Sequence, residues 1–516
     1  MRIIATGLCE KFTKTKHLCL NRLHTCVNHY NMSRTAGILI IGDEILKGQT
    51  QDTNSVYLSQ SLHKLGVNVR KISVIGDNVD EIAVEVRKFS SDYDMVLTSG
   101  GIGPTHDDVT LEGVARACDV TIHPHPTLVE LCEKYFGVKD LNSPQLKLAH
   151  VPETSQLHFG VDPVKKEKLK FPLIAVNNIY VFPGIPVLLQ RLFTSLQHLF
   201  KTEDKFSTKE ILVNCLETEI AEVLQNCVDE FKHAGLNIGS YPDWSNNYYK
   251  VRIVLESLNH EVVDAATQYL HMRLPSDRIL LNYVLDPVSL NGGDINATNF
   301  QSMLWHKVKS SLEVLEETLR KYEPHEICVG FNGGKDCTAL LHLYHAALCR
   351  AGIEINPTNF KALYIKDKYP FEEVEQFMES SVIRYKFHLT TMTGDMKQAL
   401  EALKRDHPSI KAVVMGTRCS DPHSMDLSSF TMTDSDWPRF MRVNPLLHWT
   451  YHDVWKFMRK LYLPYCVLYD KGYTSLGSRD KTERNKKLLT TNIHGSSMYL
   501  PAYTLQDGDL ERNGRL

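Results

Sequence analysis

Hydrophobic positions along this chain alternate between two spacings. Ala36 to Ile41 is a continuous apolar run of strand length, and Val56, Leu58, Leu62 and Leu65 follow at near-helical intervals. Val67 to Ile75 is the next predicted strand. Val84, Val86 and Phe89 then mark a helix, and Met95 to Thr98 is a strand that runs into Gly100-Gly101. Strand and helix alternating in this way predict βαβ units, a parallel sheet and helices on both of its faces. Such sheets take ligands beyond the carboxyl ends of their strands. Gly42-Asp43-Glu44 and Gly100-Gly101-Ile102-Gly103 stand at two of those ends.

A different block follows. Ile211 to Val213 reads as a strand, and Ile220, Val223, Leu224, Cys227, Val228 and Phe231 form the stripe of an amphipathic helix. Strands over Asn237 to Tyr241 and Tyr249 to Leu255 and a helix over Glu261 to Met272 complete a βαββα appendage within 206–285. Residues 286–299, with Pro287, Gly292 and Gly293, predict a linker. Beyond it the first rhythm returns. A helix over Leu304 to Leu319 precedes a strand over Ile327 to Phe331, a helix over Ala339 to Cys349, and strands at Phe360 to Ile365 and Lys411 to Met415. The predicted fold class is therefore α/β: two doubly wound α/β domains, 35–205 and 300–516, joined through a small α+β appendage. The last domain is long enough for an independent core.

Composition adds exclusions. The 516 residues carry 58 Lys and Arg against 61 Asp and Glu, a net charge of −3. No global basic field is present, so nucleic acid is not an expected partner. The longest apolar runs fall well short of the roughly 20 residues a membrane span needs. The 12 cysteines contain no C-x-x-C pair, which argues against zinc ribbons and iron–sulfur clusters and for reduced thiols in a cytosol-like compartment. Residues 1–34 differ from the rest, with Arg2, Lys11, Lys14, Lys16, Arg22 and Arg34 against the single acid Glu10. That is the composition of a mitochondrial presequence, a disordered extension being the alternative, and Met32 offers a downstream start. The expectation is a cytoplasmic protein with a mitochondrial matrix form.

The strongest chemical signal is the turn Asn332-Gly333-Gly334-Lys335-Asp336-Cys337-Thr338. Glycines between a strand and a helix let backbone N–H groups converge on an anion, with the helix dipole in support. Lys335 supplies a point charge to phosphate oxygens. The turn is not a Walker A loop, because Asp rather than Ser or Thr follows the lysine. An acid beside a phosphate-binding lysine makes sense when Mg²⁺ on a nucleotide joins them.

Phe331 to Thr338 resembles the pyrophosphate loop of ATP pyrophosphatases and phosphoadenosine-phosphosulfate reductases, and NGGKDCTALLHL is most similar to the version in eukaryotic FAD synthases (FMN adenylyltransferases). The stretch from Gly416 to Pro422, GTRCSDP, resembles that family's second site motif, and Arg442 to Phe457 its next block. Leu476-Gly477-Ser478, Pro501-Ala502-Tyr503 and the tail from Glu511 to Arg515 are similar to its end. A sulfonucleotide reductase would need a nucleophilic cysteine near the C-terminus; the last cysteine is Cys466. The resemblance implies transfer of AMP from Mg-ATP to FMN, giving FAD and pyrophosphate. It implies Asn332, Lys335, Asp336, Asp421 and Arg512 as catalytic residues, with Asp336 and Asp421 on Mg²⁺. Gly333, Gly334, Cys337, Thr338, Gly416, Arg418, Gly477, Ser478 and Arg515 would contact the substrates ATP and FMN. Client apo-flavoproteins are implied partners. Trp437 and Trp449 are candidates to face the flavin ring.

The N-terminal half resembles the molybdopterin-binding fold of molybdenum-cofactor biosynthesis proteins and competence-damage-inducible protein A. Gly42 to Leu46, Thr98 to Asp108 and Phe182 to Pro186 carry that likeness. There Gly100 and Gly101 would line the ligand, and Asp43, Glu44, Asp107 and Asp108 can hold a second divalent cation, as pyrophosphate hydrolysis requires. A residual FAD or nucleotide diphosphatase is the implied second activity. A non-catalytic nucleotide-binding scaffold and a molybdenum-cofactor assembly enzyme are the alternatives.

Overall fold

The computed structural model describes residues 33–137, 143–162, 166–281, 283, 300, 302–491 and 495–516. The basic extension up to residue 32 and the 286–299 linker lie outside the described residues. The chain divides into two compact units. One is built on residues up to 210 together with 221–239 and 254–274; the other on 211–220, 240–253 and 275–516.

In the first unit β1 (Thr35–Ile41), α1 (Asn54–Lys64), β2 (Asn68–Ile75), α2 (Val79–Asp92), β3 (Met95–Ser99) and α3 (Thr110–Ala117) follow the predicted alternation. The side chain of Asn78 caps α2 by accepting the Asp80 and Glu81 N–H groups at 2.9 and 3.1 Å. β1 lies between β2 and β3 in parallel register, Ile38 opposite Ile72 and Leu97. The helix α4 (Pro126–Phe136) comes next, and α5 (Pro186–Leu196) follows the last strand. β4 (Gln156–His158), β5 (Leu173–Val176) and β6 (Ile179–Phe182) complete a six-stranded sheet of order β2-β1-β3-β6-β5-β4. This edge departs from the all-parallel expectation. β6 runs parallel to β3, but β5 is antiparallel to both of its neighbours. The reason lies inside one apolar run: Asn177-Asn178 breaks Ile174 to Val181 into a hairpin, with Asn177 at φ 53°. A two-residue connection can join only antiparallel strands.

The middle block holds β7 (Ser207–Val213), α6 (Glu217–Phe231), β8 (Asn237–Pro242), β9 (Val251–Ser257), α7 (His260–Arg273) and a short closing strand, β10 (Ile279–Leu280). β10 pairs antiparallel with β7, Ile279 opposite Val213, so the predicted βαββα gains a sixth element.

The second doubly wound sheet uses β11 (Ile327–Gly330), β12 (Lys361–Lys366), β13 (His388–Thr393), β14 (Ala412–Val414), β15 (Phe430–Met432) and β16 (Met441–Val443) in the order β13-β12-β11-β14-β16-β15. Only β15 is antiparallel. The helices are α8 (Ser302–Lys321), α9 (Lys335–Arg350), α10 (Glu372–Tyr385), α11 (Met396–Asp406) and α12 (Tyr451–Lys460). Twelve of the 16 residues of α9 are buried, so this helix has no continuous exposed stripe and sits in the core between α8 and α12.

Candidate active site

β11 leads through α9 to β12 on one side, whereas β14 lies on its other side. The topological switch point is therefore between β11 and β14, where open α/β sheets bind ligands. The turn after β11 and the loop after β14 face each other there. Gly333 takes φ 71°, and a Cβ on it would meet Val374 at 3.1 Å, so this left-handed step calls for glycine. The Asn332 carboxamide oxygen accepts the Gly334 N–H at 3.0 Å. α9 starts at Lys335, earlier than the apolar pattern predicts, and no side chain caps it. Its first N–H donates to the Tyr469 hydroxyl at 2.8 Å, and its dipole favours an anion at this end.

A closed ring of four charged side chains lies under the turn. Lys335 Nζ is 3.0 Å from Asp336 Oδ2 and 3.2 Å from Glu511 Oε2. Arg418 Nε is 2.9 Å from Asp336 Oδ1, and Arg418 Nη2 pairs with Glu511 Oε1. Lys335 and Arg418 are only 3% and 2% exposed, so these charges persist because each cation has two anionic neighbours. Burial alone would raise the Asp336 carboxyl, but Lys335 and Arg418 outweigh it and hold the group below the usual carboxylate range. Asp336 Oδ1 and Glu511 Oε2 are buried and make no well-aligned hydrogen bond; each is held by charge instead, facing Arg418 Nε and Lys335 Nζ respectively. On the rim, Asp421 accepts the Arg418 N–H and the Arg512 guanidinium, each at 2.9 Å.

Two cavities meet at the switch point. One, of about 210 Å³, is walled by Lys335, Asp336, Arg418, Asp421, Arg512 and Arg515. The other, of about 470 Å³, is largely apolar, with Phe331, Leu363, Ile365, Leu400, Trp437 and Phe440 in its wall. Asn332, Cys337, Met415 and Gly416 line both. Burial, with the Asp336 charge adding to it, pushes the Cys337 thiol up to about 12.

Most residues singled out in the sequence converge here, and some do not. Thr338 is buried and its hydroxyl donates to the Gly334 carbonyl at 2.8 Å, inside its own helix. The Ser478 hydroxyl donates to Asp480. Gly477 contributes as a close approach: a Cβ there would fall 1.4 Å from Arg515 Nη1. Arg515 is held by the Ser475 and Thr482 hydroxyls and the Leu476 carbonyl, so the protein already uses part of its donor fork. Trp449 is core, its Nε1–H donating to Ser311 Oγ at 2.9 Å.

In the first unit the loops after β1 and β3 flank the equivalent switch point. Asp43 is paired with Lys47 at 2.8 Å, and its N–H donates to Asp77 Oδ2 at 2.9 Å. Burial, then the charges of Glu44, Asp43 and Asp107, raise the Asp77 carboxyl. Asp108 accepts the Thr105 N–H at 2.9 Å. Gly100 and Gly101 form the turn after β3, both with positive φ. Among the described residues, no three His, Cys, Asp or Glu side chains stand together as a metal site.

Three family models match the chain. "Probable molybdopterin binding domain" covers residues 37–201, "FAD synthase, middle domain" 205–283 and "Phosphoadenosine phosphosulfate reductase domain" 326–484. A Caenorhabditis elegans protein named "Probable FAD synthase" is 35% identical over 93% of this chain and 97% of its own length. The chain belongs to the FAD synthase family. A Schizosaccharomyces pombe member of the family, also named "Probable FAD synthase", is 34% identical over 41% of this chain and 80% of its own. The crystal structure of Candida glabrata FMN adenylyltransferase in complex with FMN and an ATP analogue shares 27% identity, covering 45% of this chain and 94% of that one, with a TM-score of 0.40. The family and the fold class expected from the motifs are borne out.

This FAD synthase family member also has site residues that sequence reasoning did not single out. Glu511 opens the tail motif and was visible there as the only acid in it. Asp77 lies just beyond the end of β2, a position the strand-end rule could have flagged. Tyr469 carries no local signal at all.

Proposed function

We propose that the protein transfers the AMP group of Mg-ATP to FMN, giving FAD and pyrophosphate. What carries the reading is the pair of joined cavities: a charged compartment at the end of α9 and an apolar one large enough for a planar ring system. The FMN phosphate is already ionised near neutral pH and needs no general base. One of its oxygens forms a bond to the α-phosphorus while the α–β bridging P–O bond breaks, and pyrophosphate leaves with the electron pair. The task of the protein is alignment and charge neutralisation. Asn332, Gly333 and Gly334 shape the cradle; Lys335, Arg418 and Arg512 supply positive charge, Arg512 as a fork on the rim. Trp437 lies in the compartment that takes the ring system.

Magnesium arrives with the nucleotide. Mg²⁺ commonly uses one or two carboxylates plus substrate phosphates, and Asp336 and Asp421, both in the wall of the charged cavity, are the carboxylates suited to it. The bound ion would offset phosphate charge. The test is the purified protein with FMN and Mg-ATP, followed by chromatography for FAD. No FAD above a no-enzyme control would sink the reading.

For the N-terminal domain the proposal is a nucleotide diphosphatase. Support comes from Asp77, whose Oδ2 accepts the Asp43 N–H at 2.9 Å and whose carboxyl is raised by burial and then by the charges of Glu44, Asp43 and Asp107. Asp77→Asn with Glu44→Gln should abolish divalent-cation-dependent FAD cleavage and leave FAD synthesis unchanged; retained cleavage would exclude this site.

A further inference from the structure

The middle block contributes a loop to the second compact unit, which includes residues 240–253. Tyr248 on that loop is 4% exposed and belongs to the core cluster of α9 and α12. Its hydroxyl points at the carbonyls of Leu463, 2.6 Å, and Met458, 3.2 Å, which lie where α12 runs out of backbone partners. The Arg459 guanidinium lies 4.6 Å from the Tyr248 ring and 4.2 Å from the Tyr503 ring.

Asn247 makes the more specific contact. Its Nδ2 donates to Asp470 Oδ2 and its Oδ1 accepts the Tyr465 N–H, both at 2.9 Å. The Tyr465 hydroxyl donates to the other oxygen of Asp470 at 2.9 Å. One carboxamide therefore clasps both ends of the 465–470 segment. Tyr469 stands on that segment beside Asp470, and its hydroxyl receives the first N–H of α9. The same hydroxyl lies 3.8 Å from where a Cβ on Gly334 would sit.

We propose that Asn247 is a positioning residue for adenylyl transfer, fixing the 465–470 turn and through Tyr469 the phosphate-binding end of α9. This rests on the synthase reading of the site. It gives the middle block a task in the C-terminal chemistry. Asn247 contributes directed hydrogen bonds rather than apolar area, so its loss should move the turn more than it loosens the core.

The experiment is steady-state FAD synthesis by the full chain, comparing wild type, Asn247→Ala and Asn247→Asp. Asn247→Ala should lower kcat/KM for Mg-ATP by about tenfold, since small misplacements of phosphate-handling groups cost that much or more. It should leave cooperative melting intact. Asn247→Asp sets a new carboxylate against Asp470, with Lys250 and Arg459 as the nearby cations and the Tyr465 hydroxyl on the other Asp470 oxygen. Two facing carboxylates hold a proton more tightly. The deficit of Asn247→Asp relative to wild type should therefore shrink as the pH falls from about 8 to about 6, while that of Asn247→Ala stays constant. A wild-type protein that makes no FAD overturns the synthase reading itself. Full activity in both variants, or an Asn247→Asp deficit that ignores pH, overturns the positioning role alone.

Discussion

Arg418 and Glu511 are 93 positions apart in the sequence and meet as a buried ion pair beneath the phosphate turn. Each has a second partner in the ring, Asp336 for Arg418 and Lys335 for Glu511. Removing one member of a buried pair leaves the others uncompensated, which costs about 3–5 kcal/mol. Arg418→Met is expected to lose that much stability in urea unfolding. A loss below about 1 kcal/mol, the worth of an exposed pair, would mean the ring is solvated.

Asp336 shares that ring, so the informative replacement is Asn, which keeps the shape and removes the charge. Asp336→Asn is expected to lower FAD formation by at least about 100-fold, the scale of losing one preorganised electrostatic contact. Melting should stay cooperative. Arg512 sits on the rim, its side chain 47% exposed, and Arg512→Gln should change stability by less than about 1 kcal/mol. It should raise the FMN requirement or slow turnover. Normal kinetics for Arg512→Gln would place the phosphate clamp elsewhere.

Cys337 lines both cavities, yet burial and then the Asp336 charge push its thiol to about 12. At pH 8 very few molecules therefore carry the thiolate, the reactive species. Cys337 is expected to resist iodoacetamide when the folded protein is alkylated and mapped by mass spectrometry. Rapid labelling there, at native pH, would show that the turn opens.

The N-terminus of α12 holds a capping box: Thr450 accepts the Asp453 N–H, and Asp453 accepts the Thr450 N–H at 2.8 Å. Thr450→Ala should cost about 1 kcal/mol. Burial alone would raise the Asp453 carboxyl, but Lys307, 2.6 Å away, and Thr450 outweigh it and hold it low. A carboxyl lowered by folding contributes stability above its unfolded value near 4, and that contribution is lost as the pH falls through the folded value. Asp453→Asn is expected to flatten the loss of stability below about pH 4 relative to wild type. Parallel acid-unfolding curves for the two proteins would count against the pairing.

What could be read from the sequence was what short segments encode. Asn332 to Asp336 were legible because glycines between an apolar strand and a helix have one common use. Arg418 and Asp421 were legible because they follow a strand end. Tyr469 was not, since its contact with Lys335 spans 134 positions and periodicity carries no information over that range. The hairpin at Asn177-Asn178 was hidden by the unbroken apolar character on both sides. Thr338 had the residue type expected of a ligand contact, but its hydroxyl is taken by the carbonyl of Gly334, one helical turn back.

The loop carrying Asn247 and Tyr248 precedes residues 286–299 in the chain yet packs with residues that follow them. Every group invoked for phosphate handling lies after residue 330, so a fragment of residues 300–516 should fold and make FAD. It would do so without Tyr248, which the full chain buries in the same core cluster as Leu343, Phe457 and Met458. Its absence leaves the Leu463 and Met458 carbonyls to water, and the absence of Asn247 does the same to Asp470 Oδ2. Losing one buried aromatic of this kind is worth about 1.5–3 kcal/mol, or roughly 5–10 °C in melting temperature for a fragment of this size. A fragment of residues 206–516, which keeps the loop, should melt higher by that amount and turn over Mg-ATP faster. Identical melting curves and rates for the two fragments would show that the loop packs against the site without supporting it. An inactive 300–516 fragment that regains activity with the 206–516 boundary would make the loop an obligatory part of the synthase.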